Sequence, residues 1–134
     1  QIELEITETS LLKDPNASIA ILNKLSMSGF SIAIDDFGTG YSSLEYLNTM
    51  PLHKLKIDRS FVIDIDKKAK SAVLVKTIIA MAKNLDLEVL AEGVENEAEA
   101  STLQALGCDK VQGYLYSKPL TAEDLATYVM AVER

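Results

Sequence analysis

Two adjacent carboxylates, Asp35-Asp36, end the apolar run Phe30-Ser31-Ile32-Ala33-Ile34 and open directly into the glycine-rich stretch Phe37-Gly38-Thr39-Gly40-Tyr41-Ser42-Ser43. A β-branched, apolar run reads as a buried strand, and such a strand seldom ends in two acids unless a cation or hydrogen-bond donors offset them. The chemistry open to the pair is metal binding, and Gly38 and Gly40 would let the backbone turn sharply beside the ion. Other apolar runs also end in polar residues: Glu5, Lys56, Glu92 and Gln112. Each alone is compatible with a solvated strand end. Together, four carboxylates at one mouth would repel and raise one another's pKa unless divalent cations neutralised them. All-oxygen donors suit Mg2+ or Mn2+.

Further residues have two readings each. In Lys54-Leu55-Lys56-Ile57-Asp58, alternation puts both lysines on one side of a strand. Lys56 is then either a solvated or charge-compensating residue, or a group that polarises a water or meets a phosphate oxygen. Glu95, three residues after Glu92, complements the dipole of the next helix or supports the site. Glu8, three residues after Glu5 and off the strand, could anchor a neighbouring loop. Gln112 is a plain strand terminus or an amide holding water or substrate. His53 has no second His or Cys beside it and reads as a surface residue without a role. Cys108 cannot pair within the chain and reads as a small buried hydrophobe, consistent with a reducing compartment.

The elements that must position these groups alternate. Residues 1–7 have a period of two and read as a strand. Asp14-Pro15 reads as a helix N-cap and first turn, closed by Gly29, and Ser42 or Ser43 could cap a short helix running to Met50. A strand over 54–57 leads into a loop over 58–66. The rows Ala72-Val75-Ile79-Ala82 and Leu74-Ile78-Met81-Leu85 predict a sheet-packed helix over about 68–85. A strand over 88–91 follows, then a helix opened by an Asn96/Glu99 capping box and closed by Gly107, and a strand over 110–112. Leu125, Tyr128, Val129 and Val132 share one face of a last helix. Five strands with helical crossovers imply a parallel sheet, either a doubly wound sheet or a little over half of a (β/α)8 barrel. A response-regulator receiver shares these ingredients but not their order. It places the acidic pair after the first strand and the lysine after the last.

At 134 residues and 48% hydrophobic, the chain can bury an ordinary core. A formal charge of −7 argues against wrapping polymeric nucleic acid, so a phosphate-bearing ligand must be met locally by metal, lysine or backbone N–H. No apolar run approaches the ~18 residues of a membrane span, and no signal-peptide pattern is present. A start at Gln1, inside strand-like sequence, predicts a piece of something longer.

Taken together, Glu5-Ile6-Thr7-Glu8, Asp35-Asp36-Phe37-Gly38-Thr39-Gly40-Tyr41-Ser42-Ser43, Lys56-Ile57-Asp58-Arg59-Ser60-Phe61, Ala91-Glu92-Gly93-Val94-Glu95 and Gln112-Gly113-Tyr114 resemble, in order and spacing, the EAL-domain phosphodiesterases of bacterial cyclic-di-GMP signalling. The resemblance implies an α/β fold, the C-terminal part (about five β/α units) of a modified TIM (β/α)8 barrel, with residues 1–134 a partial domain. It implies hydrolysis of cyclic di-GMP to linear pGpG with two Mg2+ or Mn2+. Glu5, Asp35, Asp36 and Glu92 are then metal ligands, and Lys56 contacts the nucleophilic water. Gln112 helps hold metal-bound water, Glu8 anchors the loop after Asp36, and Glu95 supports the site or faces substrate.

The family's Glu-Ala-Leu motif and a later asparagine belong before Glu5 and are not in this chain, which predicts weak or no activity for it alone. A catalytically silent module that senses cyclic di-GMP or a protein is the alternative. Homodimerisation or other self-association, upstream sensor or diguanylate-cyclase domains, and a cytoplasmic setting, membrane-tethered or not, are further expectations.

Overall fold

The computed structural model describes residues 2–38 and 44–132, with side chains through 131. Strands β1 (Glu3–Thr7), β2 (Ser31–Phe37), β3 (Lys54–Ile57), β4 (Glu88–Ala91) and β5 (Lys110–Val111) lie side by side in chain order, every neighbouring pair parallel. A doubly wound sheet must reverse its strand order once; this one never does. Right-handed crossovers that always advance the same way put the connecting helices on one face and leave the other as the inner wall of a barrel. The barrel is therefore the architecture observed, over five β/α units.

The helices are α1 (Glu8–Lys13), α2 (Pro15–Met27), α3 (Leu44–Thr49), α4 (Arg59–Val62), α5 (Ala69–Asn84), α6 (Glu97–Ala105) and α7 (Ala122–Val132). Where a cap is spelled out in sequence, the expectation holds: Asp14 accepts the Ala17 N–H at 3.2 Å with Pro15 in the first turn of α2. Two helices are unexpected. Thr7 caps α1, and Asp58 caps the single turn of α4 inside the expected 58–66 loop; elements this short have no period to read. On α5, Val75, Ile78, Ile79 and Ala82 are buried, whereas Leu74 of the second predicted row is exposed. Leu125, Tyr128 and Val129 of α7 are also exposed, and the side chain of Val132 lies outside the described residues, as do Gly40 and the expected caps Ser42 and Ser43.

The sheet has two unlike faces. Ile32, Ile34, Leu55, Ile57, Val89 and Ala91 are fully buried and register with one another toward the helices. Each large one contributes about 1.5–3 kcal/mol. The opposite face is a ladder of charges. Lys54 Nζ lies 2.8 Å from Glu3 Oε2 and 4.0 Å from Glu88 Oε2, and Lys110 Nζ lies 2.6 Å from Glu88 Oε1.

Lys54 and Glu3 sit on strands that are not neighbours, with β2 between them. The reach is possible because β2 presents only Ser31 and Ala33 at those levels. Ala33 is fully buried, so Ala33→Leu is expected to overpack this face and cost about 1–3 kcal/mol, read as a lower urea midpoint. Ala33→Ser should stay close to the parent.

Candidate functional site

The site forms at the C-terminal ends of the strands, where β2 departs from regular geometry. Ile34 pairs with Leu55 and Phe37 with Ile57, so three steps along β2 match two along β3. The extra residue is absorbed at Asp36, whose φ of 54° lies in the left-handed region that aspartate tolerates better than most side chains. In a regular strand, adjacent side chains point to opposite faces. The bulge removes that alternation. Asp35, Asp36 and Glu92 each offer a carboxylate oxygen, and the three oxygens lie within 4.8 Å of one another.

Beyond the bulge the chain is held from the start of α1. Glu8, buried at the start of α1, accepts the Gly38 N–H at 2.9 Å. The contact joins the start of α1 to the second residue after Asp36. Gly38 has φ of 104°, and a Cβ there would strike the Phe61 ring, so another residue would be both strained and crowded.

Lys56 is nearly buried. Its Nζ lies 2.5 Å from Glu5 Oε1 and 3.1 Å from Glu92 Oε1. Its environment is therefore not a solvated edge, and the geometry fits both charge compensation and a functional cation. Burial pulls its pKa down, but hydrogen bonds to Glu5 and Glu92 more than reverse this, and the net shift is upward. Burial, with a hydrogen bond shared with Asp35, pushes the Glu92 carboxyl up to about 8 against the pull of Lys56. The same Glu92 hydrogen bond is the main reason the Asp35 carboxyl is lowered, while burial and the neighbouring Asp35 charge raise Asp36. Neighbouring carboxylates thus divide into one that ionises readily and one that holds its proton at neutral pH.

Glu92 Oε1 is buried, with the Lys56 ammonium 3.1 Å away as its charge partner and no other polar partner among the described residues. A buried carboxylate oxygen next to two further carboxylates is a donor set that fits a hard divalent cation. Glu5 pairs with Lys56, shares a hydrogen bond with Asp35 and lines the same cleft.

That cleft, about 370 Å3, is lined by Glu5, Asp35, Lys56, Glu92 and Gln112, and on its far side by Arg59, Glu95 and Tyr114. Of the eight candidate site residues, six lie in or beside this acidic wall, Glu8 lies beneath it and Glu95 stands at the rim. Glu95 accepts from Arg59 Nη2 at 2.9 Å, beyond any role at the helix dipole. Sequence reasoning assigned no role to Arg59, although it lies inside the Lys56–Phe61 motif and is a cation amid acids.

Gly113 packs so closely that a Cβ would enter the Val94 backbone, which seats Gln112 beside Glu92. His53 is exposed, yet its Nδ1 accepts the Ile32 N–H at 3.0 Å, a purely structural contact. Cys108 is half-buried and donates to the Lys110 carbonyl at 3.1 Å.

A parallel barrel wall with an acidic, lysine-bearing cleft at the C-terminal ends of its strands defines a TIM-barrel-like α/β protein with an oxygen-donor site. A family model of the EAL domain matches residues 1–119, and the chain belongs to that family. Over 126 residues it is 46% identical to the bifunctional diguanylate cyclase/cyclic di-GMP phosphodiesterase MucR of Pseudomonas aeruginosa, covering 94% of this chain and 18% of MucR. Over 130 residues it is 45% identical to the cyclic di-GMP phosphodiesterase NbdA of the same organism, covering 97% of this chain and 17% of NbdA. It superposes on the PaMucR phosphodiesterase in its c-di-GMP complex with a TM-score of 0.88 at 46% identity, over 92% of this chain and 50% of that one. The chain thus spans less than a fifth of these relatives' length and half of that solved domain. Among the described residues, no helix is long and apolar enough to cross a membrane.

Proposed function

We propose that this chain is the C-terminal part of a phosphodiesterase domain that hydrolyses one phosphodiester of cyclic di-GMP to linear pGpG with two divalent cations, Mg2+ or Mn2+. Glu92 is the observation that carries this reading: a buried carboxylate oxygen that lies with oxygens of Asp35 and Asp36 within 4.8 Å of one another, against Lys56. Asp35, Asp36 and Glu92, with Glu5 on the adjoining wall, are the residues that would hold the ions. Bound there, the ions would supply Lewis acidity toward the phosphodiester and lower the pKa of an attacking water.

The remaining work falls to the chain. Lys56 presents a fixed positive charge and N–H donors where negative charge grows on the phosphoryl oxygens. Gln112 offers a neutral amide that can orient water without adding charge. Lys56 and Arg59 are the cations lining the cleft, so they are where an anionic ligand is tolerated in a chain of net charge −7. The exposed apolar residues of α7 support association with a second copy or with further chain, which sedimentation would reveal.

The family's Glu-Ala-Leu motif and asparagine would complete the ligand set, so the 134-residue chain alone is expected to hydrolyse cyclic di-GMP very weakly or not at all. The test compares it with a polypeptide extended upstream through those residues, each with Mn2+ and cyclic di-GMP, following pGpG by chromatography. Product from the longer protein only supports the proposal. Full activity from the short chain overturns the partial-site reading, binding without product from either supports a sensor, and neither binding nor product defeats both.

A further inference from the structure

Glu99 is 3% exposed and does not line the cleft, yet it joins the two loops that build the cleft's rim. Its Oε2 accepts the Asp64 N–H at 2.8 Å, its Oε1 accepts the Glu95 N–H at 2.9 Å, and its own N–H donates to Asn96 Oδ1 at 2.8 Å. The Asn96 half of the expected capping box is present, but the Glu99 carboxylate reaches one residue further back, to the Glu95 N–H, and with its other oxygen to the segment after α4. The first turn of α6 offsets the buried charge. Asp64, at φ of 54°, holds a left-handed conformation that the hydrogen bond to Glu99 secures.

One tied segment carries Glu95 itself, and the other directly follows α4, whose first residue is Arg59. Their ion pair is solvent-exposed, with side chains 48% and 59% accessible, and exposed pairs contribute too little to set their own geometry. Arg59 is further seated over Gly93, where a Cβ would collide with its methylenes. The rim is therefore set from beneath.

We propose that Glu99 is a positioning residue that fixes the Arg59–Glu95 pair as the substrate-binding rim and thereby sets KM for cyclic di-GMP; this rests on the phosphodiesterase reading above. Both carboxylate oxygens receive an N–H, so the isosteric Glu99→Gln must turn an NH2 group toward one of the donors. In the hydrolytically active polypeptide, E99Q is expected to raise KM about tenfold with kcat nearly unchanged. In an E95A background it should add little. Arg59→Ala, at an exposed position that does not threaten folding, should reproduce the KM effect.

Amide hydrogen exchange on the unliganded protein provides a readout independent of nucleotide: Asp64 or Glu95 should lose protection in E99Q. Retained protection at both overturns the clamp. Additive E99Q and E95A effects, a fall in kcat at constant KM, or an unchanged KM in R59A overturn the positioning role. An unsubstituted protein that neither binds nor hydrolyses cyclic di-GMP defeats the phosphodiesterase reading and the KM assignment with it, while the exchange result still decides the clamp.

Discussion

Lys56→Met is expected to lower cyclic di-GMP hydrolysis by about 10²–10⁴-fold, measured in the active polypeptide with saturating Mn2+. Methionine keeps the length and apolar stem of lysine and removes only the charged donor, so packing on β3 is retained. The loss falls on a group whose charge is well defended: hydrogen bonds to Glu5 and Glu92 outweigh the burial that would otherwise discharge it. Arginine should not restore activity, because a planar fork cannot occupy the space of a compact ammonium between two carboxylates.

Stability changes less. Breaking a buried ion pair costs about 3–5 kcal/mol, but the Glu5 side chain is 42% accessible and water can solvate it, so about 1–3 kcal/mol is expected. Equilibrium unfolding of the same variant separates the two effects. A variant that keeps hydrolysis within tenfold of the parent while losing stability would reduce Lys56 to a structural counter-charge.

The second expected result is a pH-dependent stability that inverts when metal is added. Glu92 ionises at about 8 in the folded chain and near the ordinary 4.5 when unfolded. The folded state binds this proton more tightly, so its effect on stability becomes less favourable as pH rises from about 4.5 to 8 and is level above that. Asp35 is shifted downward, so its contribution is present above 3.8 and is lost only as acid protonates the folded carboxyl. Lys56 is shifted upward, so its contribution is complete below 10.5 and is lost at higher pH.

Between pH 5 and 8 the slope therefore belongs chiefly to Glu92, with Asp36, also raised, acting in the same sense at the lower end. The melting temperature of chelator-treated protein should fall across that interval, and Glu92→Gln should flatten the fall. A cation binding at Asp35, Asp36 and Glu92 must displace that proton. Apparent Mn2+ affinity should then rise by up to about tenfold per pH unit as far as pH 8, with roughly one proton released per ion. A Mn2+-induced melting shift equal at pH 6 and pH 8 would show that Glu92 is not a ligand.

The difference between what could be read and what could not follows the range of the interactions. Asp14-Pro15 and the Asn96/Glu99 pair are legible caps because the groups that meet are three residues apart. The single turn of α4 is not legible, and the exposure of the apolar face of α7 is not either, because periodicity reports apolar positions without saying what will cover them. Arg59 was overlooked for a related reason. Its partner Glu95 is 36 residues away, on another loop.

By itself the sequence determined the alternation of strands and helices, the parallel sheet, the family, and which polar residues end the strands, since all of these depend on residue type and near-neighbour spacing. Only the tertiary structure decided that the strands never reverse their order. It also decided that Ser31 and Ala33 clear a path across β2, and that a left-handed Asp36 turns two adjacent acids toward Glu92. Lys56 meets Glu5 across 51 residues of sequence. The protonation of the site depends on burial and on charges brought together from distant segments, and those exist only once the barrel wall has closed around them.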